Sequence, residues 1–315
     1  MIAALLPRDA RIYQIAFQAI LLTIGVLVRD FALDPRQMLL AFAAGLLTQR
    51  LWLDQLGLEH KGVLSALITC FGVSLLLRSD TLWVHPLAAA LAISSKFVLR
   101  VNGKHVFNPA NLGVIAALVL LPGTWVSPGQ WGNDVALAGW FVALGGLVTE
   151  RARRWDISWV FLAAWLGLVA TRVLWFGQPW TIFAHQFANG GLLLFAFFMI
   201  SDPMTIPNRR SARVGYAIFV AALAFAWQFA LFKTNGLLWA LFVASPLVPL
   251  IDWRWPGEKF EWRPDVRAAE APGVSPPRAC APSGIRSPDA AAASVAPARN
   301  ATAASTTSHG RRSLT

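Results

Sequence analysis

The 315-residue chain is short of the residues from which self-contained catalytic sites are usually built. It has two cysteines, Cys70 within an apolar stretch and Cys280 near the C-terminal end. That is too few for an iron–sulfur centre with four cysteine ligands, and the two settings are too different to suggest a disulfide. Its five histidines and its carboxylates form no cluster with metal-ligand spacing, so no metal site is expected. No Gly-rich nucleotide loop occurs, and no catalytic residue is assigned. Charged side chains make up 14% of the chain, and no series of carboxylates runs through its apolar segments, which argues against a self-sufficient proton pump.

What is abundant is apolar surface. Hydrophobic side chains make up 56% of the sequence and the mean hydropathy is +0.54, more than one soluble core can bury. The apolar residues come in blocks of roughly the length a helix needs to cross a bilayer. Ten are read, at about 12–28, 37–53, 62–77, 82–99, 110–126, 135–149, 157–176, 187–200, 214–232 and 236–251. They are continuously apolar where barrel strands would alternate, so the fold expected is an all-α polytopic membrane protein of about ten transmembrane helices. Arg8 and Arg11 give the first block the look of a signal peptide, but no small-residue cleavage site follows, and it is read as a retained anchor.

Basic residues set the expected orientation. With the N-terminus inside, inner segments carry Arg8, Arg11, Arg50, Lys61, Arg100, Lys104, Arg151, Arg153, Arg154, Arg209, Arg210 and Arg213; outer loops carry Arg29, Arg36, Arg78 and Lys233. The asymmetry places both termini on the cytoplasmic side of the membrane. The net charge of +11 is then topology and tail, spread over separate loops, and nucleic acid is not an expected partner. Fifteen tryptophans, many at block ends, suit anchoring at the headgroup level.

The membrane domain is expected over residues 1–256. A basic, Ala/Pro/Ser-rich cytoplasmic tail follows at 257–315; beyond Trp262 its composition offers too little apolar surface to offset ordering entropy, so it is read as disordered. Ten helices divide into five and five, and an odd number per half inverts the second half in the membrane. "LLRSDTLWVHP" (76–86) and "FMISDPMTIP" (198–207) then fall on opposite faces, an echo of such a repeat.

Two polar breaks mark candidate sites. In "KHVFNPANLGVIAAL", Asn108 is placed to cap a helix, Pro109 to take its first position and Gly113 to permit close packing. The same helix start offers amide donors to a ligand, with Asn108 and Asn111 adding side-chain groups. In "FFMISDPMTIPNRR", Asp202-Pro203 ends a helix and the arginines hold the loop inside. Asp202 and Thr205 would lie at the inner end of the interface between halves, where an acid can pair with a base or gate a cation. Lys96 and Arg172, near block ends, are expected to snorkel, and Asn189 and Gln228 to join helices by hydrogen bonds.

"FNPANLG", "FFMISDPMTIP" and "VPLIDWRWP" (248–256) together resemble, in order, three landmarks of the NqrB/RnfD family, over roughly residues 60 to 256. Lys96 falls where family members tend to carry lysine, and "RRWDISWVFL" (153–162) resembles their start of helix 6. The resemblance implies a membrane subunit of an ion-translocating electron-transport complex of the Rnf or sodium-pumping NADH:quinone oxidoreductase type. It implies two inverted five-helix halves similar to the urea-transporter fold, other subunits of a redox complex as partners besides the lipid bilayer, and a flavin. Asn108, Pro109, Asn111, Lys96, Asp202 and Thr205 become candidate cofactor-binding residues. The family's outer-loop motif with a threonine esterified by FMN is missing, and the corresponding loop, "LPGTWVSPGQWGND" (121–134), is short. A flavin, FMN or riboflavin, is therefore expected to be held without a covalent bond. The alternative reading is a carrier or channel for a small solute or ion that uses the same inverted fold without redox chemistry.

Overall fold

The computed structural model describes residues 9–27, 33–59, 62–127 and 135–260. Beyond Phe260 the expected tail lies outside the described residues, as does segment 128–134. The helices are α1 (Ala10–Leu27), α2 (Pro35–Gln55), α3 (Val63–Leu76), α4 (Val84–Val98), α5 (Pro109–Leu120), α6 (Val135–Arg151), α7 (Trp155–Trp175), α8 (Trp180–Phe187), α9 (Gly190–Leu194), α10 (Arg210–Phe225), α11 (Gly236–Ala244) and α12 (Leu247–Arg254). Two π-helical turns, Phe195–Met199 and Ala226–Ala230, prolong α9 and α10.

Local chemistry explains where several of these helices begin. Asp34 caps α2, its carboxylate accepting the Arg36 amide at 2.8 Å, and Pro35 takes the first position, where no amide hydrogen is needed. Asn108 and Pro109 repeat the device on α5, as expected. Asn189 caps α9 through the amides of Gly191 and Leu192. That role differs from the helix-to-helix bond expected of Asn189, because the chain breaks just before it, leaving free amides for its side chain to take.

Each of the ten apolar blocks contains a helix, but their ends differ from the sequence reading. Residues 77 and 121–126 fall within apolar blocks three and five, yet β1 (Leu77–Ser79) pairs antiparallel with β4 (Thr124–Val126), Leu77 opposite Val126. A continuously apolar run does not tell a strand from the end of a helix. A second ribbon, β2 (Arg100–Val101) with β3 (Lys104–His105), turns through Asn102 and Gly103, both at positive φ, and delivers the chain to Asn108. Helix α8 lies ahead of the eighth block and bends by 45° into α9; the tenth block is broken between α11 and α12, bent by 47° around Ser245 and Pro246.

By length and composition α1, α7 and α10 with its π turn can each cross a membrane, and the two bent pairs raise that number to five. Helices α3, α4 and α5 are apolar but shorter, at 14, 15 and 12 residues. Their faces away from the core stay apolar, as they do on the longer helices: Leu39, Leu47, Leu174 and Trp175 are exposed, which suits lipid and not water. The chain is an all-α membrane protein with two short β ribbons.

The packing falls into two similar sets. In the first, α1 packs on α3, α2 on α4, and α4 on α5. In the second, α6 packs on α9 and its π turn, α7 on α10, and α10 on α11. Between the sets α1 meets α6 and α5 meets α11.

Candidate functional site

The start of α5 is the polar centre of the interface between the two sets. Asn108 is buried, its carbonyl oxygen accepts the Asn111 amide at 3.1 Å, and its Nδ2 donates to the Met199 carbonyl at 3.3 Å and to Asp202 Oδ2 at 3.4 Å. Asn111, fully buried, donates from Nδ2 to the Leu238 carbonyl of α11 at 3.1 Å, while its Oδ1 has no protein partner among the described residues. The two asparagines thus tie α5 to the turn after α9 and to α11. Asp202 Oδ1 accepts the Met204 amide at 3.0 Å, and Thr205 Oγ1 donates to the Asp202 carbonyl at 3.2 Å. Burial pushes the Asp202 carboxyl above the usual carboxylate range, against the downward pull of the Met204 amide, Lys96 and Lys104.

Lys96 does not snorkel. Its side chain turns inward, where Nζ donates to the Ser65 carbonyl at 3.0 Å and to Ser65 Oγ at 3.2 Å on α3. The four residues after it, ending at Arg100, already carry the chain out to the β2 ribbon, so the ammonium finds a nearer acceptor within the bundle than outside it. Arg172 stacks over Phe229 at 4.7 Å.

A chain of five polar residues that no single motif assembles closes the same end of the interface. Asp156, in the first turn of α7, accepts from Arg213 of α10 at 2.8 and 3.0 Å. Arg213 Nη1 reaches the Asn208 carbonyl at 2.6 Å, and Asn208 bonds Asp252 of α12 through its amide (2.7 Å) and its Nδ2 (3.0 Å). Lys104 of β3 then donates to Asp252 Oδ2 at 2.8 Å and to Asn208 Oδ1 at 3.1 Å, and also meets the Ile206 carbonyl. In the sequence Asp252 stands out only as part of a landmark; its partner lies 148 positions away, a spacing that no local motif encodes.

Two of the cavities among the described residues matter for the candidate site. The smaller, about 90 Å³, is a polar cleft that includes Gln18, Ser65, Thr69, Asn108, Thr149 and Asp202 in its lining. It has room for about three water molecules. Of the six candidates, Asn108, Pro109 and Asp202 line it; Lys96, Asn111 and Thr205 do not. The larger, about 740 Å³, is within the range of pockets that enclose a drug-sized ligand. Its lining combines the aromatic side chains of Trp125, Trp165 and Phe195 with the amides of Gln186, Asn189 and Gln228. Trp165 is 1% exposed and its indole Nε1 has no hydrogen-bond partner among the described residues. Leu76 and Met199 line both cavities and so form the partition between them.

The cavities meet the two helix sets with opposite polarity. The large one touches the C-terminal ends of α3 and α5 but the N-terminal ends of α9 and α11; the small one touches the N-terminal parts of α3 and α5 and the turn that follows α9.

This arrangement has relatives. Residues 126–260 match the model of the NQR2, RnfD, RnfE family. The chain is similar to that family over this segment, which is less than half of its length. The matched segment holds the Asp202-Pro203 and Pro249-Asp252 landmarks; the Asn108 landmark precedes it. Similar curated proteins are each named as the D component of an ion-translocating oxidoreductase complex. Those of Escherichia coli O6:H1 (strain CFT073) and Shigella flexneri are 33% identical over 130 residues, and that of Klebsiella pneumoniae (strain 342) is 32% identical over 128. In all three the alignment covers 39% of this chain and 34% of the relative, so the chain spans about a third of the length of the relatives it matches.

Proposed function

We propose that this chain is the membrane subunit of an ion-translocating oxidoreductase complex of the Rnf type, and that it holds a non-covalent flavin in its large cavity. The family match supports the complex, and with it other redox subunits as partners. The observation that carries the flavin is the contrast in volume: about 740 Å³ with an aromatic lining, against about 90 Å³ beside Asn108 and Asp202. A planar ring system fits the first and not the second, so the cofactor role expected of the α5 break moves to the far side of Leu76 and Met199. A flavin placed there would supply one- and two-electron transfer, and the chain's own Trp125, Trp165 and Phe195 would line its ring.

The fold we propose is two inverted repeats, pairing α1 with α6, α2 with α7, α3 with α9, α4 with α10 and α5 with α11. The repeated packing and the opposite polarity at the two cavities support it. Because Arg11, Lys104, Arg151, Arg154 and Arg213 lie at the end with the small cleft, that end is assigned to the cytoplasm of the inner membrane and the large cavity to the outer side.

Gently purified protein should carry flavin absorbance close to one per chain, and denaturation in acid or hot detergent should release all of it. Colourless protein that moves a solute in liposomes would favour the carrier or channel reading, and fluorescence that stays with the denatured polypeptide would refute the non-covalent link. Reporter fusions after Arg154 and after Arg213 should read cytoplasmic, and one after Gly177 external.

A further inference from the structure

The corner where α6 meets α7 holds a separate cavity of about 410 Å³. Its lining is Ala143, Gly146, Leu147 and Glu150 of α6 with Trp155 and Trp159 of α7, none of which lines the large cavity. The floor is small and apolar, and a Cβ added at Gly146 would meet nothing within 4 Å. The wall is aromatic. Trp155 and Trp159 stand one turn apart on the same face of α7, with 47% and 42% of their surface exposed, and Trp159 is held edge-on against Phe197 at 5.5 Å. Glu150 carries the one formal charge in this lining; it is exposed, and its carboxylate has no hydrogen bond or ion pair among the described residues.

A cation borders the cavity. Arg210 lies over the Trp155 ring at 5.6 Å, with its Nε 3.8 Å from Asp156 Oδ2. Its side chain is 70% exposed, so the guanidinium fork has room for a further acceptor. The neighbours fix the depth of this corner in the membrane. Helix α6 ends at Arg151, and Arg153 and Arg154 make the turn into α7, so the cavity opens at the headgroup level whichever leaflet it faces.

These groups suit different parts of one molecule. A carboxylate beside indole faces suits a cation that carries N–H groups, and the bordering guanidinium suits a phosphate. The apolar groove of Ala143, Gly146 and Leu147 suits a hydrocarbon chain lying along α6. A ligand with anionic charge alone would be repelled by Glu150, and a cation alone would leave Arg210 unanswered.

We propose that this corner binds one phospholipid with an ethanolamine headgroup. Its ammonium meets Glu150 and the two indoles, its phosphate meets Arg210, and an acyl chain fills the groove of α6. Arg210 and Arg213 share the Asp156 carboxylate, so the headgroup borders the polar network that closes the interface.

The test is native mass spectrometry of the delipidated full chain in detergent, titrated with phosphatidylethanolamine, phosphatidylcholine and phosphatidylglycerol of one acyl composition. Wild type should bind the ethanolamine lipid about tenfold more tightly than either of the others, the scale of one charge-assisted hydrogen bond. Glu150→Gln should abolish that preference, and Arg210→Gln should weaken all three lipids, which share the phosphate. Both side chains are exposed, so these variants are expected to fold as wild type does. Equal or tighter binding of either other lipid, or a preference that survives in Glu150→Gln, overturns the headgroup assignment. Unchanged binding in Arg210→Gln overturns the phosphate contact. A second arm places a photoreactive benzophenone side chain at Gly139, an exposed position on α6 where an added Cβ meets nothing within 4 Å. Irradiated in cells that express the chain, it should capture lipid; capture of a protein would show that a partner helix covers this face and would overturn the proposal.

Discussion

Lys104, in the ribbon before α5, and Asp252, at the end of α12, lie 2.8 Å apart with both side chains 12% exposed. The pair fastens the first helix set to the last helix of the second. Burial draws the Lys104 ammonium below its ordinary value, while Asp252 holds it up. A pair this secluded adds little net stability, because desolvation offsets attraction, but breaking it leaves a buried charge alone. Lys104→Ala should therefore lower stability by about 3–5 kcal/mol, discounted by whatever Asn208 still gives Asp252. Lys104→Met combined with Asp252→Leu should recover most of the loss. Thermal unfolding of the single and double variants in detergent measures this, and additive losses would show that the two side chains act independently.

Asn108 and Asp202 invite a second comparison, because their mutual bond is long at 3.4 Å while each has a shorter local one. Asn108→Ala removes the α5 cap and should cost about 0.5–2 kcal/mol. Asp202→Asn keeps the shape and removes a carboxylate whose partners are both N–H donors, Met204 and Asn108. On the proposal that the ring occupies the large cavity, both variants should retain full flavin content. Loss of flavin from either at normal membrane abundance would return the cofactor to the α5 break.

Burial of His105 should give the structure a pH dependence whose sign follows from its lowered pKa. Burial, with Lys96 and Arg100 nearby, pushes its pKa from 6.5 down to about 4. Between those values the unfolded chain binds a proton that the folded chain refuses, so stability should fall as pH drops through that window and stay level above it. The full difference is about 3 kcal/mol. Asp202, with its carboxyl pushed up, works in the opposite sense, so the informative quantity is the difference between wild type and His105→Gln. From pH 7 to 4 the melting temperature of wild type should fall relative to that of His105→Gln, and parallel curves would show that His105 titrates normally.

The fold was legible in the sequence wherever apolar length and capping chemistry decide structure. Asn108-Pro109 and the Asp202 turn end up as read, because a cap or a Pro break is a local instruction. The ribbon of Leu77 against Val126 was not legible, since pairing across 49 positions leaves no mark on an apolar run. The site divided in the same way. Asn108 and Asp202 could be picked out by their motifs, and the structure brings them together. Lys104, Asn208, Asp252, Asp156 and Arg213 all sit in or beside recognisable motifs, but only three-dimensional proximity makes them one network. The large cavity was missed because its walls come from the ends of α3, α5, α9 and α11 together with α7, where no segment alone looks like a pocket.

Gly113 and Gly236 test whether the two helix sets are built alike. Gly113 of α5 faces α4, where an added Cβ would meet the Ala88 carbonyl oxygen and the Ala92 Cβ, each at 2.7 Å. Gly236 of α11 faces α10, where it would meet the Ala224 carbonyl oxygen at 2.9 Å. In an open helix Gly→Ala is favourable by about 0.4–1 kcal/mol. Here the contact is with backbone that cannot swing aside, and overpacking costs about 1–3 kcal/mol, so the clash should win at both positions. Gly113→Ala should be the worse, with two contacts below 3.0 Å against one. Gly167, which has nothing within 4 Å, serves as the control and should gain or hold stability as alanine. Thermal unfolding in detergent ranks the three variants. If Gly113→Ala destabilises and Gly236→Ala does not, α5 and α11 do not play matching parts, and the inverted pairing proposed above loses its strongest packing correspondence.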